Sequence, residues 1–363
     1  MSRVAPNPGV GQSSSSSSSN LRAGEGQELD DDDEDDDEDE DDRGKSPFDT
    51  HMGIWYTPRR LWMRVGALSE NVWMSVAAPV AGVLPFRTAT IVGVGLLGGS
   101  LGLALRARGL ARHVVGVGRR QSSLDRALAL GAVDEATLDV CVGVAEAELV
   151  VLATPVGAMV ELARAAADTL PRGAVMTDVG STKAQLVREL EDVAGERFRY
   201  VGSHPMAGSE KRGVDEAVPG LFDGALCFVT PTPRTDPRAL AAVTELWQAL
   251  GTRVRHLDPV EHDRLLAFAS HLPHLAAAAL VNALPAEALA CGGAGLRDTT
   301  RVASGDPRMW ADVCLQNREM ILDALARFEQ QTHTLHRILA DGAEAELLAW
   351  LGSAKAVRDH HLR

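Results

Sequence analysis

Gly93, Gly95 and Gly98 form G-x-G-x-x-G directly after the run TATIV (residues 88–92) and directly before a helical pattern. Nothing else in the chain restricts its fold as strongly. In a strand, turn, helix setting the first glycine makes the turn, the second lets backbone approach a pyrophosphate, and the third lets helix pack closely on strand. The pyrophosphate would rest on the helix N-terminus, where unbonded N–H groups point outward. Gly93, Gly95, Leu96, Leu97 and Gly98 are therefore cofactor-binding candidates, with Thr154 at the end of a later strand.

The sequence after Thr88 fits that setting. Short β-branched or apolar runs at 89–92, 113–117, 149–153, 175–178, 200–203 and 226–230 alternate with helical patterns at 97–108, 122–130, 156–170 and 182–193. Such alternation predicts an α/β, Rossmann-type doubly wound parallel sheet covered by helices. After Asp258 the strand signal stops. Leu265, Phe268, Leu272, Leu275 and Leu280, then Ile321, Leu325, Phe328, Thr332, Leu335 and Leu339, recur at helical spacing, and Leu347, Leu351 and Ala354 share a face of a last helix. The expected plan is a dinucleotide-binding domain over 87–257 and an all-helical substrate and dimerisation domain over 258–363. Residues 1–86 form a tail and an arm of uncertain order.

Composition matters mainly for that tail. The formal net charge of -14 on 363 residues is carried by an acidic run at 30–42, without which the chain is nearly neutral. With the serine tract at 13–19 and few large apolar residues, the first 50 or so residues are expected to be disordered. A near-neutral body lacks the basic face that nucleic acid requires. Val72 to Phe86, broken by Pro79 and Pro85, is too short to span a bilayer, and the N-terminus has no apolar signal. Four widely spaced cysteines indicate neither zinc nor disulfides, so the expectation is a cytoplasmic protein with no metal.

Dinucleotide folds usually end the second strand with an acidic residue that binds the ribose hydroxyls. Here Gly118, Arg119 and Arg120 follow that strand. Guanidinium groups suit a 2′-phosphate, so NADP is expected, with NAD use still open; the alternative leaves both arginines facing solvent. TDVGSTK (177–183) and GSHPMAGSEKRG (202–213) would stand at the carboxyl ends of later strands, where ligands bind in open α/β sheets. They bring Ser181 and His204, and a histidine there suits proton transfer near neutral pH. In the helical domain SHLPH (270–274) supplies His271 and His274, and GLRDTTRVASGDPRMW (295–310) supplies Arg297 and Arg301. Four residues apart, the two arginines share a face if helical and could hold a dianionic carboxylic acid. The alternative pairs them with Asp298 or Asp306 as surface ion pairs.

From Ala89 to about Val357 the chain resembles the prephenate/arogenate dehydrogenases of tyrosine biosynthesis. The resemblance rests on GVGLLGGSLG, DVGSTK, HPMAGSEKRG, SHLPH and GLRDTTRVASGDPRMW, in that order. Leu296 stands where the family often has Phe, and with no segment after Arg363 an appended ACT domain is not expected. The resemblance implies that His204 takes the proton of the ring C4 hydroxyl while hydride passes to the nicotinamide, with Ser181 orienting the imidazole. It implies that Arg301 binds a substrate carboxylate, that Arg297, Glu210 and His274 line the same pocket, and that Trp310 reaches the site from the partner of a helical-domain homodimer. Two other functions fit parts of the sequence. A 3-hydroxyacid-type dehydrogenase would rely on a helical-domain lysine, and none occurs between Asp258 and Trp350. A non-catalytic dinucleotide sensor with an acidic recruiting tail leaves Ser181 and His204 without a role.

Overall fold

A computed structural model of the chain describes residues 84–208 and 211–361, all within one compact unit, Leu68–Arg363. The tail and most of the arm lie outside the described residues, as does Glu210.

Eight strands make one sheet in the order β3-β2-β1-β4-β5-β6-β7-β8. They are β1 (Phe86–Val92), β2 (Ala111–Val117), β3 (Glu135–Thr137), β4 (Leu149–Leu152), β5 (Val175–Asp178), β6 (Arg199–Pro205), β7 (Leu226–Thr230) and β8 (Arg253–His256). β1 pairs with β2 on one side and β4 on the other, so the chain reverses its direction of travel across the sheet between β1 and β4. Open α/β sheets bind ligands at that switch point. The sheet is parallel except where β6 meets β7 antiparallel, a departure from the all-parallel expectation. β4 and β5 are buried at every position and read as continuous apolar runs, as strands covered on both faces should.

Helices α1 (Leu96–Ala107), α2 (Gln121–Ala129), α3 (Val140–Val144), α4 (Val156–Ala166), α5 (Ala184–Ala194) and α6 (Pro237–Ala249) cover the two faces. One core forms around Ile91, Leu101, Leu105, Val114, Leu149 and Trp247, and the other around Met159, Met176, Leu190 and Tyr200. β3, α3, α6 and β8 lay beyond the sequence pattern. β3 has three residues, and β8 reads Arg-Val-Arg-His, polar enough to pass for a loop.

The rest of the described chain is helical: α7 (Pro259–Leu266), a π turn (Ala267–His271), α8 (Leu272–Ala283), α9 (Ala286–Ala290), α10 (Ala294–Thr300), a 3₁₀ turn (Arg301–Ser304), α11 (Pro307–Gln316), α12 (Arg318–Ala340) and α13 (Glu344–His361). Asp258 and Asp306 start α7 and α11 by accepting backbone N–H bonds, each followed by proline at the first helical position. Ala267, Ile321 and Ala324 pack α12 against the π turn. Most of the expected α12 seam stays uncovered within one chain: Phe328 and Leu339 are exposed, and α13 buries no residue.

Candidate active site

The glycine turn is shaped by contacts that side chains would block. Gly93 has φ +107°, and a Cβ there would lie 2.6 Å from the Ala153 carbonyl oxygen, across the β1–β4 switch point. A Cβ on Gly98 would lie 1.9 Å from the Gly93 carbonyl oxygen, so only glycine lets α1 pack on the turn. Gly95 is the opposite case: a Cβ would meet nothing within 4 Å, because this position faces outward. Gly95 offers no side-chain cap to α1, and the N–H groups of Leu96 and Leu97 precede the first intrahelical bond, from Gly99 N–H to the Gly95 carbonyl. A glycine cradle, free first-turn N–H groups and the adjacent Thr154 together fit a dinucleotide pyrophosphate. Arg119 and Arg120 are both exposed just beyond β2. A side chain at Gly118 would press within 2.9 Å of Leu124 Cδ2, so an acidic group does not fit there without a shift.

Further along the same edge of the sheet lies a buried polar cluster. Asp178 ends β5 and is fully buried; it accepts the Tyr200 hydroxyl at 2.7 Å, the N–H of Ser203 at 3.0 Å and the N–H of Gly180 at 2.8 Å. Its second oxygen also pairs with Lys183 Nζ, and both side chains are at 0 % exposure. The Ser203 hydroxyl donates to the Asp178 carbonyl and accepts from Trp247 Nε1 at 2.9 Å. These bonds fix the backbone of β6 one residue before His204.

His204 itself is buried, and its Nδ1 lies 2.9 Å from Nε2 of His262 on α7. His262 Nδ1 in turn lies 2.8 Å from Asp263 Oδ1. Burial pushes the His204 imidazole well below its ordinary pKa, and His262, Lys183 and His271 add to that. His262 is also lowered by burial, against the opposing pull of Asp263. Neutral His204 is what a base requires. Ser181 lies in the loop after β5, half-buried on the same edge, but among the described residues no hydrogen bond joins it to His204; the ring is held from its Nδ1 side by His262.

The helical domain closes the region from above. Pro273 in SHLPH lacks an N–H, and the π turn immediately before it accommodates the interruption, a device often found at functional sites. His271 is buried and pushed down to about 4 by desolvation, its Nδ1 3.1 Å from Asn317 Nδ2. His274 Nδ1 donates to the Ser270 carbonyl at 2.9 Å, and its ring stacks on Trp310 with centroids 3.9 Å apart. Trp310 thus reaches His274 within its own chain. Burial lowers the His274 pKa, partly offset by the Ser270 bond, and the Arg301 charge lowers it further, which puts that guanidinium in the same neighbourhood. Arg297 lies in α10, and Arg301 opens the 3₁₀ turn just past its end; both are exposed. Asp306, an alternative partner for those arginines in the sequence, binds Arg212 at 2.8 Å, tying the loop after His204 to α11. Asp312 of α11 accepts the Gly157 N–H at 2.9 Å at the start of α4, which has no side-chain cap of its own.

Sequence reasoning missed His262, Asp263, Asp178 and Lys183 as site residues. The available signal was the His-Asp pair three residues into the helix that starts at Asp258-Pro259. It was overshadowed by the richer SHLPH motif.

A glycine cradle at the switch point and a buried, neutral histidine on the same sheet edge, topped by a helical domain carrying arginines, define a dinucleotide-dependent dehydrogenase. Residues 101–256 match the prephenate dehydrogenase nucleotide-binding domain and residues 258–353 the prephenate dehydrogenase dimerization domain. Prephenate dehydrogenase of Bacillus subtilis is 34% identical over 280 residues, 75% of each chain. The structure of prephenate dehydrogenase from A. aeolicus in complex with hydroxyphenyl propionate and NAD+ is 35% identical, with a TM-score of 0.72 over 76% of this chain and 99% of that one. Synechocystis arogenate dehydrogenase is 30% identical, with a TM-score of 0.66 over 76% of this chain and all of that one (100%). The chain belongs to the prephenate dehydrogenase family.

Proposed function

We propose that this enzyme oxidatively decarboxylates prephenate or arogenate to 4-hydroxyphenylpyruvate or tyrosine, with NADP as the preferred hydride acceptor and NAD as a possible second. The observation that carries the reading is His204: a buried imidazole, engaged at Nδ1, on the sheet edge that also ends in the glycine cradle. β6 is three strands from β1, about 14 Å at ordinary strand spacing, a separation suited to a cofactor that spans the edge.

Gly93, Gly95, Leu96, Leu97, Gly98 and Thr154 would hold the dinucleotide, and Arg119 or Arg120 its 2′-phosphate. When bound, the nicotinamide supplies the hydride acceptor. His204 Nε2 takes the proton of the C4 hydroxyl as hydride leaves C4. The bond to the ring carboxylate then breaks, CO2 departs, its electron pair enters the ring, and Nε2 returns the proton to the oxygen of the new phenol. Arg301 and Arg297 would hold carboxylates, with His274, Trp310 and Glu210 lining the pocket; Ser181 would complete the proton site once substrate is bound. The division at 257/258 into dinucleotide and helical substrate domains belongs to the same reading, as does a cytoplasmic site of action. So does a homodimer, supported by apolar faces on α8, α12 and α13 that one chain leaves uncovered. The stretch Pro259–Ala283 is long and apolar enough to cross a membrane by length and composition alone, but its first helix carries the buried polar pair His262 and Asp263, which fits a helix packed on this sheet.

The test is a spectrophotometric assay of each substrate crossed with each cofactor, repeated for His204→Asn, Arg119→Ala and Arg120→Ala. His204→Asn should lower kcat by about 100- to 10,000-fold, and wild-type turnover in that variant would refute the base. Charge-assisted bonds of about 1.5 to 3 kcal/mol give an NADP preference of order tenfold to a hundredfold in kcat/KM. A preference for NAD, or no effect of either arginine, would refute the cofactor assignment.

A further inference from the structure

A base at His204 needs a bare nitrogen facing the substrate, and a neutral imidazole has only one. Asp263 determines which. Its carboxylate, an acceptor only, takes the N–H of Lys183 on Oδ1 and that of Ala184 on Oδ2, each at 2.8 Å. It thereby caps α5, whose N-cap residue Lys183 provides no side-chain cap. The same Oδ1 lies 2.8 Å from His262 Nδ1, so that nitrogen must carry hydrogen. Neutral His262 then presents a lone pair at Nε2, and His204 Nδ1, 2.9 Å away, must be the donor. The only lone pair left on His204 is at Nε2. Asn317 holds the arrangement from the other side, donating to the Asp263 carbonyl at 2.8 Å.

We infer that His262 and Asp263 are positioning residues that fix His204 as its Nδ1–H tautomer, leaving Nε2 as the base. The inference rests on the reading of His204 as base and specifies the atom and the machinery behind it. When Nε2 takes the substrate proton, the new positive charge faces His262 from α7, His271 from the π turn and Lys183 from the start of α5. The carboxylates that offset it are Asp263 behind His262 and Asp178 behind Lys183. Without the Asp263 acceptor, His262 could carry its hydrogen on Nε2, and two N–H groups would then confront each other or His204 would switch tautomer.

Two-bond ¹H–¹⁵N correlation of histidine-labelled enzyme reads the tautomer directly, with the His204 signal assigned by its loss in His204→Asn. Wild type should show His204 protonated at Nδ1. His262→Phe keeps a ring but removes the acceptor. Its kcat should fall on the order of 100-fold or more, KM should stay within about threefold, and His204 should move to the Nε2–H form. His262→Gln, which restores an amide oxygen, should recover most of the loss. An Nε2–H signal in the wild type overturns the inference, and that spectrum decides even if His262→Phe fails to fold. Full kcat in folded His262→Phe also overturns it. Activity in His204→Asn would instead refute the base itself, whereas an inactive His204→Asn beside a fully active His262→Phe removes only the positioning role.

Discussion

Asp178, Lys183, Ser203 and His262 are each at 0 % exposure, while Arg297 and Arg301 lie on the surface of their helical turn. The two groups, proposed above to serve one site, are built differently. On the sheet side, every carboxylate oxygen of Asp178 and Asp263 is engaged by a named donor, so the proton-handling geometry exists before any substrate arrives. On the helical side, the groups proposed to bind carboxylates sit where water reaches them. Proton transfer depends on sub-ångström placement and a low dielectric, whereas capture of a dianion depends on charge that the ligand can reach.

Acid should expose this contrast most strongly. His204, His262 and His271 are all depressed by burial, His271 to about 4, while an unfolded histidine titrates near 6.5. Below pH 6.5 the unfolded chain therefore binds protons that the folded chain refuses, and stability falls as pH drops. It should be level above pH 6.5 and decline below it, with the His271 share ending near pH 4, where its folded imidazole also titrates. His271 alone accounts for about 3 kcal/mol across that window. Urea melts at half-unit pH steps would measure the slope. A flat profile from pH 7 to 5 would mean that the buried histidines are hydrated, and the contrast with the arginine side would disappear.

Arg301→Ala addresses the other half. Loss of a charge-assisted bond present in both ground and transition states should raise KM by about 10- to 150-fold, equivalent to 1.5 to 3 kcal/mol, with kcat nearly kept and the urea midpoint unchanged. An unaltered KM would assign Arg301 to the protein surface. A fallen midpoint would show that the helical side is as structurally committed as the sheet side.

The same division governed what could be read from sequence. The glycine turn and β1, β2, β4, β5, β6 and β7 were legible because a buried parallel sheet requires apolar runs and because Gly93 and Gly98 occupy positions where a Cβ collides with backbone. β8 was not, since Arg253 and Arg255 alternate with Val254 on a sheet edge and leave little apolar signal. His204 was visible from its motif, but its partner arrives from α7, 58 residues later. Spacing along a chain says nothing about which side chains a sheet and a distant helix will bring within 3 Å. The spacing makes the α12 seam legible as helical, yet periodicity does not say whether the surface that covers it belongs to the same chain.

That last ambiguity leads to the smallest expected effect. Phe328 is 41% exposed on α12, next in sequence to Arg327, whose guanidinium lies over the Phe268 ring at 5.0 Å. Covering the exposed part of a phenylalanine contributes about 1 kcal/mol. In a twofold dimer the contact occurs twice, so Phe328→Ser should weaken association by about 2 kcal/mol, or roughly 30-fold in Kd. Because the exposed ring contributes little within one chain, the melting temperature of dilute protein should barely change. Light scattering across a dilution series would separate the two quantities. A dissociation constant unmoved by Phe328→Ser would place the dimer contact on another face, with α8 and α13 next to be tested. A large drop in melting temperature at low concentration would show that α12 is buried within its own subunit after all.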